Sequence, residues 1–150
     1  MARSADQSAG AGGHANGSEF LKQRILIVED NPANRELLQD WLEIEGYEVW
    51  CAADLKASYE ALGMEPPDVV LLDINLGGEN GLDLVAWMRR KASLDSIPVI
   101  AVTAHALATE QERILQAGCV ACLSKPIDFK GLREQLLLWL EYGTASRPHS

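Results

Sequence analysis

No uninterrupted apolar stretch in this sequence approaches the roughly 20 residues that a membrane-spanning helix requires. The N-terminus also lacks the apolar segment of a secretory signal peptide. Positive charge is scarce: the sequence has 13 lysines and arginines but 22 acidic residues, so its formal net charge is -9. Such a field repels phosphate groups, so we expect no contact with nucleic acid or with a membrane. A cytoplasmic location is the resulting expectation.

Cysteine is also rare, and its number is odd. A chain that is 47% hydrophobic can build a core without cross-links, so its 3 cysteines are expected to be reduced thiols. Cys119 and Cys122 have a C-x-x-C spacing, but the segment is typical of a strand. In a strand, a three-residue offset points side chains to opposite faces, so we expect neither a metal site nor a redox pair there.

The length of 150 residues is that of a single domain. Residues 1–22 are rich in Gly, Ala and Ser and cannot join a core, so they predict a flexible leader. Within it, Gly17 to Phe20 (GSEF) is typical of a cloning remnant. We expect one folded domain over residues 23–142 and a flexible polar tail over residues 143–150.

Short apolar runs alternate with amphipathic stretches along the rest of the chain. The predicted strands are 25–28, 47–51, 69–72, 97–102 and 119–123. The first predicted helix begins at Asn31-Pro32 and ends before Gly46. The other predicted helices cover 54–62, 82–91, 107–117 and 129–142. Most of the strands are continuously apolar, which is typical of parallel strands covered on both faces, whereas 47–51 alternates like an edge strand. The pattern predicts an α/β sandwich with a parallel sheet between two layers of helices.

Polar side chains follow the predicted strands where each one ends. Glu29 and Asp30 follow the first, Asp73 the third, Thr103 the fourth and Lys125 the fifth. Because ligand chemistry in such folds lies at the carboxyl ends of the strands, we expect these side chains to meet. Three carboxylates on one rim would repel each other without a cation. Oxygen ligands favour magnesium, calcium or manganese over zinc, and a site with few protein ligands suits magnesium, which also binds phosphate oxygens.

A carboxylate beside such an ion can attack phosphorus and form an aspartyl-phosphate. Lys125 and Thr103 would then supply charge and a hydrogen bond to the phosphoryl oxygens. Each of these residues alone is more often an ordinary polar group at a strand end. Together they predict a phosphoacceptor site centred on Asp73.

Four ordered segments resemble the response-regulator receiver domains of two-component signalling, over residues 24 to about 142. They are ILIVEDNPANRELL, VVLLDINLGGENGLDL, VIAVTAHA and CLSKPID. The resemblance implies a flavodoxin-like, doubly wound (βα)5 sandwich with strand order 2-1-3-4-5. It also implies that Asp73 takes a phosphoryl group from a phosphohistidine in a magnesium-dependent reaction, and that the domain signals through a changed protein-binding surface.

The resemblance also assigns roles to single residues. It implies that the Asp30 and Asp73 carboxylates and the Asn75 backbone carbonyl bind Mg²⁺, with Glu29 acting through a metal-bound water. It implies that Thr103 is the switch hydroxyl, that Lys125 pairs with the phosphoryl group, and that Pro126 follows through a cis peptide. Asn75 and His105 would orient or block the water that removes the phosphoryl group, and the small Ala104 would leave room for the donor.

Two positions depart from the family pattern. Cys122 stands where the family usually has a Tyr or Phe that changes orientation on phosphorylation, which leaves the aromatic part of the switch open. Gly77 stands where proline is common, so residues 77–81 are expected to form a looser loop.

The resemblance implies a histidine kinase or a histidine phosphotransfer protein as donor, docking near the first helix, and a downstream protein as target. The chain would then be a signalling domain that catalyses only its own phosphorylation and dephosphorylation. It would be a monomer or a weak dimer. It would be either a stand-alone receiver or one cut from a hybrid kinase. An aspartyl-phosphate phosphatase would need a second acid where Asn75 stands. A dinucleotide domain would need a glycine-rich first turn. A receiver-like module that is never phosphorylated remains the alternative, although it would have no chemical need for the intact set of polar residues.

Overall fold

The computed structural model of the chain describes residues 22–105 and 107–142. The predicted leader, apart from Lys22, and the predicted tail over residues 143–150 lie outside the described residues. Both therefore remain predictions.

Within the described ranges, five parallel strands form the central sheet. They are β1 (Arg24–Val28), β2 (Glu48–Ala52), β3 (Val69–Asp73), β4 (Val99–Thr103) and β5 (Ala121–Ser124). Their order is β2-β1-β3-β4-β5, which confirms the predicted order 2-1-3-4-5. All residues of β3 and β4 are buried, as expected for strands covered on both faces, whereas β2 and β5 are partly exposed edges.

In the described residues, five helices cover the two faces of this sheet. They are α1 (Pro32–Ile44), α2 (Leu55–Met64), α3 (Leu82–Arg89), α4 (Ala108–Gln116) and α5 (Phe129–Leu136), the last continuing as a π-helical segment, Leu137–Tyr142. Asn31 and Asp54 cap the starts of α1 and α2 by accepting hydrogen bonds from the amides of Asn34 and Ala57. In the part of the chain that the structure describes, no helix combines the length and apolarity needed to cross a membrane.

Alternate residues of the central strands face opposite sides of the sheet, which divides the core in two. Ile25 and Ile27 of β1 pack in the cluster that contains the buried residues of α1 and α5. Leu26 and Val28 pack in the cluster that contains those of α2, α3 and α4. Because β1 leads outward to β2 while β3 leads to β4 on the other side, the connections after β1 and β3 diverge. This divergence opens a crevice at the carboxyl ends of these two strands.

The connection between β3 and α3 is a short hairpin instead of the predicted loose loop. Asn75–Leu76 pairs antiparallel with Glu79–Asn80. The two residues between them, Gly77 and Gly78, have φ values of 54° and 99°. A tight two-residue turn of this kind needs positive φ, which glycine adopts without steric cost.

The expectation that Cys119 and Cys122 face opposite sides is wrong. Cys119 precedes β5, so the alternation of a strand does not apply to it, and both thiols pack against the core formed with α2, α3 and α4. Both are free cysteines. Burial raises the pKa of the Cys119 thiol to about 12, which keeps it protonated and unreactive at neutral pH.

Arg89, at the end of α3, fastens two connections to each other. Its guanidinium donates hydrogen bonds of 3.0–3.4 Å to the carbonyls of Leu94, Asp95 and Ile97 in the α3–β4 connection. It donates another, of 2.9 Å, to the carbonyl of Gly118 before β5. The planar fork of arginine can serve four acceptors at once, which the ammonium of lysine cannot do.

We expect Arg89→Lys to lower the free energy of unfolding by about 1–3 kcal/mol, because partly buried carbonyls lose their donors. The neighbouring Arg90 is exposed, so Arg90→Lys should change the free energy by no more than about 0.5 kcal/mol. Urea denaturation followed by circular dichroism measures both. A change for Arg89→Lys as small as the one expected for Arg90→Lys would contradict a stabilising role of the Arg89 guanidinium.

Gly81 lies where the chain passes closest to the end of β3. Its amide donates a 2.7 Å hydrogen bond to the carbonyl of Ile74. A Cβ at this position would lie 2.6 Å from the carbonyl oxygen of Asp73 and 3.0 Å from the Cα of Ile74. Both neighbours are backbone atoms, so the clash could be relieved only by moving the connection that follows β3.

Gly81→Ala should therefore destabilise the fold by about 1–3 kcal/mol. A matched control is Gly63→Ala within α2, because a Cβ there meets no atom within 4 Å. That substitution should stabilise the protein by up to about 0.5 kcal/mol, since alanine has the higher helix propensity and Gly63 lies in the last turn of the helix. Opposite signs in thermal or urea unfolding are expected, and a neutral Gly81→Ala would contradict the steric argument.

Candidate functional site

Three carboxylates meet at the crevice between β1 and β3. Val28 pairs with Leu72, so the residues that follow, Glu29 and Asp73, lie side by side. One carboxylate oxygen each from Glu29, Asp30 and Asp73 lies within 4.8 Å of the other two. Glu29 and Asp73 are only 3% and 4% exposed, whereas Asp30 is exposed. The predicted convergence of these three acids is therefore what the structure shows.

Backbone amides hold one oxygen of each buried carboxylate. The Asn31 amide donates to Glu29 Oε2, and the Asn75 amide donates to Asp73 Oδ1, both at 3.0 Å. Burial raises the pKa of Glu29, the Asn31 amide opposes this effect, and the charge of Asp73 adds to it. The two buried acids are thus oriented by the chain segments that follow β1 and β3.

Lys125, the residue that follows β5, supplies positive charge to this cluster. Its Nζ lies 2.8 Å from Asp73 Oδ2 and 3.7 Å from Glu29 Oε1. Burial lowers the pKa of Lys125, but the hydrogen bond to Asp73 and the surrounding carboxylates outweigh this and raise it. The peptide bond between Lys125 and Pro126 is cis, as the resemblance implied. One ammonium group cannot balance three carboxylates, so the site retains an excess of negative charge.

Thr103 ends the strand that lies between Asp73 and Lys125. Its side chain is fully buried, and its Oγ1 accepts a 3.0 Å hydrogen bond from the amide of His105. The same hydroxyl lies 3.4 Å from the His105 carbonyl, to which it donates. The Thr103 hydroxyl is therefore held by the connection between β4 and α4, in which Ala104 and His105 are exposed.

The other predicted site residues lie at the margins of this cluster. Asn75 is exposed and begins the β3–α3 hairpin, with its amide on Asp73. Cys122 lies within β5 and packs against the core on the α4 side. Pro126 borders a cleft of about 520 Å³ next to the carboxylates. This cleft is lined by Glu29, Asn34, Leu37, Leu38, Lys125, Pro126, Ile127 and Phe129.

The structure adds residues that the sequence did not single out as part of the site. Arg35, one turn into α1, donates a 2.8 Å hydrogen bond to the carbonyl of Glu29. Gly77 approaches the cluster so closely that a Cβ would lie 3.1 Å from Asp30 Oδ2. Positive φ at Gly77 was signalled by the glycine pair, but its approach to Asp30 had no signal in the sequence.

Comparison with known proteins supports the family that the motifs suggested. Residues 25–137 match the Response regulator receiver domain family. The chain is 38% identical over 123 residues to the polar-differentiation response regulator DivK of Brucella ovis, covering 80% of this chain and 98% of that protein. A DivK from Brucella anthropi is 37% identical over 120 residues, with the same coverage of 80% and 98%.

Solved structures agree with this match. The receiver domain of the sensor histidine kinase PA1611 from Pseudomonas aeruginosa PAO1, which has a magnesium ion in its active site cleft, superposes with a TM-score of 0.73 at 33% identity. The match covers 79% of this chain and 98% of that one. A receiver domain of a histidine kinase from Syntrophus aciditrophicus gives 0.75 at 26% identity, covering 85% and 97%. The chain therefore belongs to the response regulator receiver domains, the phosphoacceptor signalling domains of two-component systems.

Proposed function

We propose that Asp73 is the phosphoacceptor of this receiver domain. The observation that supports this proposal is the position of Asp73 in the crevice. Its side chain is only 4% exposed, and Lys125 Nζ lies 2.8 Å from its Oδ2. In the proposed reaction, an oxygen of the Asp73 carboxylate forms a bond to phosphorus. The phosphorus–nitrogen bond of a donor phosphohistidine breaks at the same time, and the electron pair returns to the imidazole.

The acid cluster fits a magnesium ion, because hard oxygen donors in excess over positive charge are what this ion selects. The Asp30 and Asp73 carboxylates and the Asn75 carbonyl would hold it directly, and Glu29 would act through a bound water. The ion would supply positive charge to the carboxylates and the phosphoryl oxygens. The magnesium in the cleft of the PA1611 receiver domain supports this choice of metal.

Lys125 and Thr103 act on the phosphoryl group in this proposal. Lys125 is protonated and already beside Asp73, so its ammonium can move from the free carboxylate to a phosphoryl oxygen. Thr103 would turn its hydroxyl to another phosphoryl oxygen. This movement would remove the hydrogen bond that the hydroxyl accepts from His105, and so release the β4–α4 connection. Phosphorylation would thereby shift an existing equilibrium between two conformations of the binding surface.

The remaining predicted residues act on the lifetime of the phosphoryl group and on the size of the switch. Asn75 and His105 would flank the reacting group and orient or block the attacking water, while the small Ala104 would leave room for the donor. Cys122 replaces the aromatic ring of the family switch, and Pro126 follows the phosphate-pairing lysine. The domain would catalyse only its own phosphorylation and dephosphorylation.

The proposed location of this domain is the cytoplasm. Its proposed donor is a histidine kinase or a histidine phosphotransfer protein, and its proposed target is a downstream protein. The cleft of about 520 Å³ supports a protein donor, because it joins an apolar wall on α1 to the site residues Glu29 and Lys125. An imidazole that reaches Asp73 from this side would bring its carrier protein against α1.

Incubation with Mg²⁺ and acetyl phosphate should add one phosphoryl group to the native protein, as measured by intact mass. Asp73→Asn should add none, because the amide is not nucleophilic toward phosphorus. The control Asp40→Asn, at an exposed position on α1, should be phosphorylated like the native protein. A native protein that binds Mg²⁺ but never gains mass would instead be a receiver-like module that is not phosphorylated.

Calorimetric titration should show that Asp30→Asn weakens Mg²⁺ binding by about 10-fold or more, because a charged oxygen ligand is lost. Lys125→Gln should act in the opposite direction, since it removes the ammonium that competes with the ion for Asp73 Oδ2. Unchanged affinity in Asp30→Asn would place the metal elsewhere.

A further inference from the structure

The β3–α3 hairpin, residues 75–80, carries the Asn75 carbonyl that is proposed as a metal ligand. Its near end is held firmly, because Leu76 is only 2% exposed and the Asn75 amide is bonded to Asp73. Its far end turns through Gly77 and Gly78, both at positive φ. Two adjacent glycines give the turn little intrinsic stiffness. A contact at the far end would therefore decide where the turn lies.

Glu79 makes such a contact, with the start of α2. Its Oε1 accepts a 3.1 Å hydrogen bond from the amide of Leu55, the first residue of that helix. The helix has no acidic residue of its own in the first turn, and its cap, Asp54, is bonded to the Ala57 amide instead. The Glu79 carboxylate thus satisfies a free amide and places negative charge at the positive end of the helix.

The sheet order gives this contact a consequence for the metal site. The hairpin follows β3 and α2 follows β2, and β1 lies between those two strands. To reach α2, the hairpin must cross the end of β1, which is where Asp30 lies. The crossing is close, because a Cβ on Gly77 would lie 3.1 Å from Asp30 Oδ2.

We propose that Glu79 is a positioning residue for the metal site, which fixes the hairpin over Asp30 by fastening its far end to α2. This inference rests on the proposed function, since it concerns the same magnesium site. Through this contact the Asn75 carbonyl and the Asp30 carboxylate keep a fixed separation before the ion binds. The entropy of ordering the hairpin is then not lost when the metal arrives.

The test compares Mg²⁺ affinity in the native protein, Glu79→Ala, Glu79→Gln and Asp54→Ala by calorimetric titration. Glu79→Ala should bind Mg²⁺ about 10-fold more weakly, the low end for loss of an outer partner of a metal ligand. Glu79→Gln keeps an acceptor for the Leu55 amide and should bind within about 3-fold of the native protein. Asp54→Ala weakens the same helix start without touching the hairpin, so its Mg²⁺ affinity should be native while its melting temperature falls.

The rate of phosphorylation by acetyl phosphate gives a second readout. In Glu79→Ala, the Mg²⁺ concentration for half-maximal rate should rise about 10-fold, while the rate at saturating Mg²⁺ stays within about 2-fold of native. Native affinity in Glu79→Ala would overturn the inference. So would equal losses in Glu79→Ala and Glu79→Gln, which would reveal a simple effect of charge. If the native protein neither binds Mg²⁺ nor gains a phosphoryl group, it is the proposed function that fails.

Discussion

Repulsion among the carboxylates at the ends of β1 and β3 is the constraint on which the rest of the site depends. Glu29 and Asp73 are almost fully buried, and Asp30 brings a third charge within 4.8 Å of both. Burying charge is costly unless each group is paired and hydrogen-bonded. The ammonium of Lys125 and the backbone amides of Asn31 and Asn75 offset part of this unfavourable free energy. The remaining negative charge makes the site receptive to a cation.

The position of Lys125 connects this local balance to the whole sheet. The lysine follows β5, and it reaches Asp73 at the end of β3 across the end of β4, where Thr103 is buried. A phosphoryl group on Asp73 would add a charge of about -2 at this point. In the proposed mechanism, the phosphoryl group binds Lys125 and Thr103, the two residues that join the site to the later part of the chain. Those contacts lead to the connections around α4 and α5, which is where the proposed mechanism places the changed surface.

Two glycines beside the site are required for different physical reasons. Gly77 has a positive φ and faces Asp30 across a gap too small for a side chain to enter freely. Gly81 has an ordinary φ of -58°, so its requirement is purely steric, since a Cβ would strike the backbone of Asp73 and Ile74. Together they let the chain leave β3, pass over Asp30 and return to begin α3 within eight residues. The path of the β3–α3 connection is therefore restricted by its close approach to Asp30 and to the backbone at the end of β3, as well as by its two-residue turn.

The sequence by itself determined the strands, the helix starts at Asn31 and Asp54, and the convergence of the acids with Lys125. Apolar runs define buried parallel strands, and the residues that follow such strands must meet at one edge of the sheet. The alternation predicted for Cys119 and Cys122 does not occur, because Cys119 precedes β5 and only Cys122 lies within it. Only the tertiary structure decided that Arg89 joins a connection to Gly118, 29 positions away, and that Glu79 meets Leu55, 24 positions earlier. Such contacts depend on how the crossovers stack against one another, and this stacking is set by packing across the whole sheet and not by any local pattern.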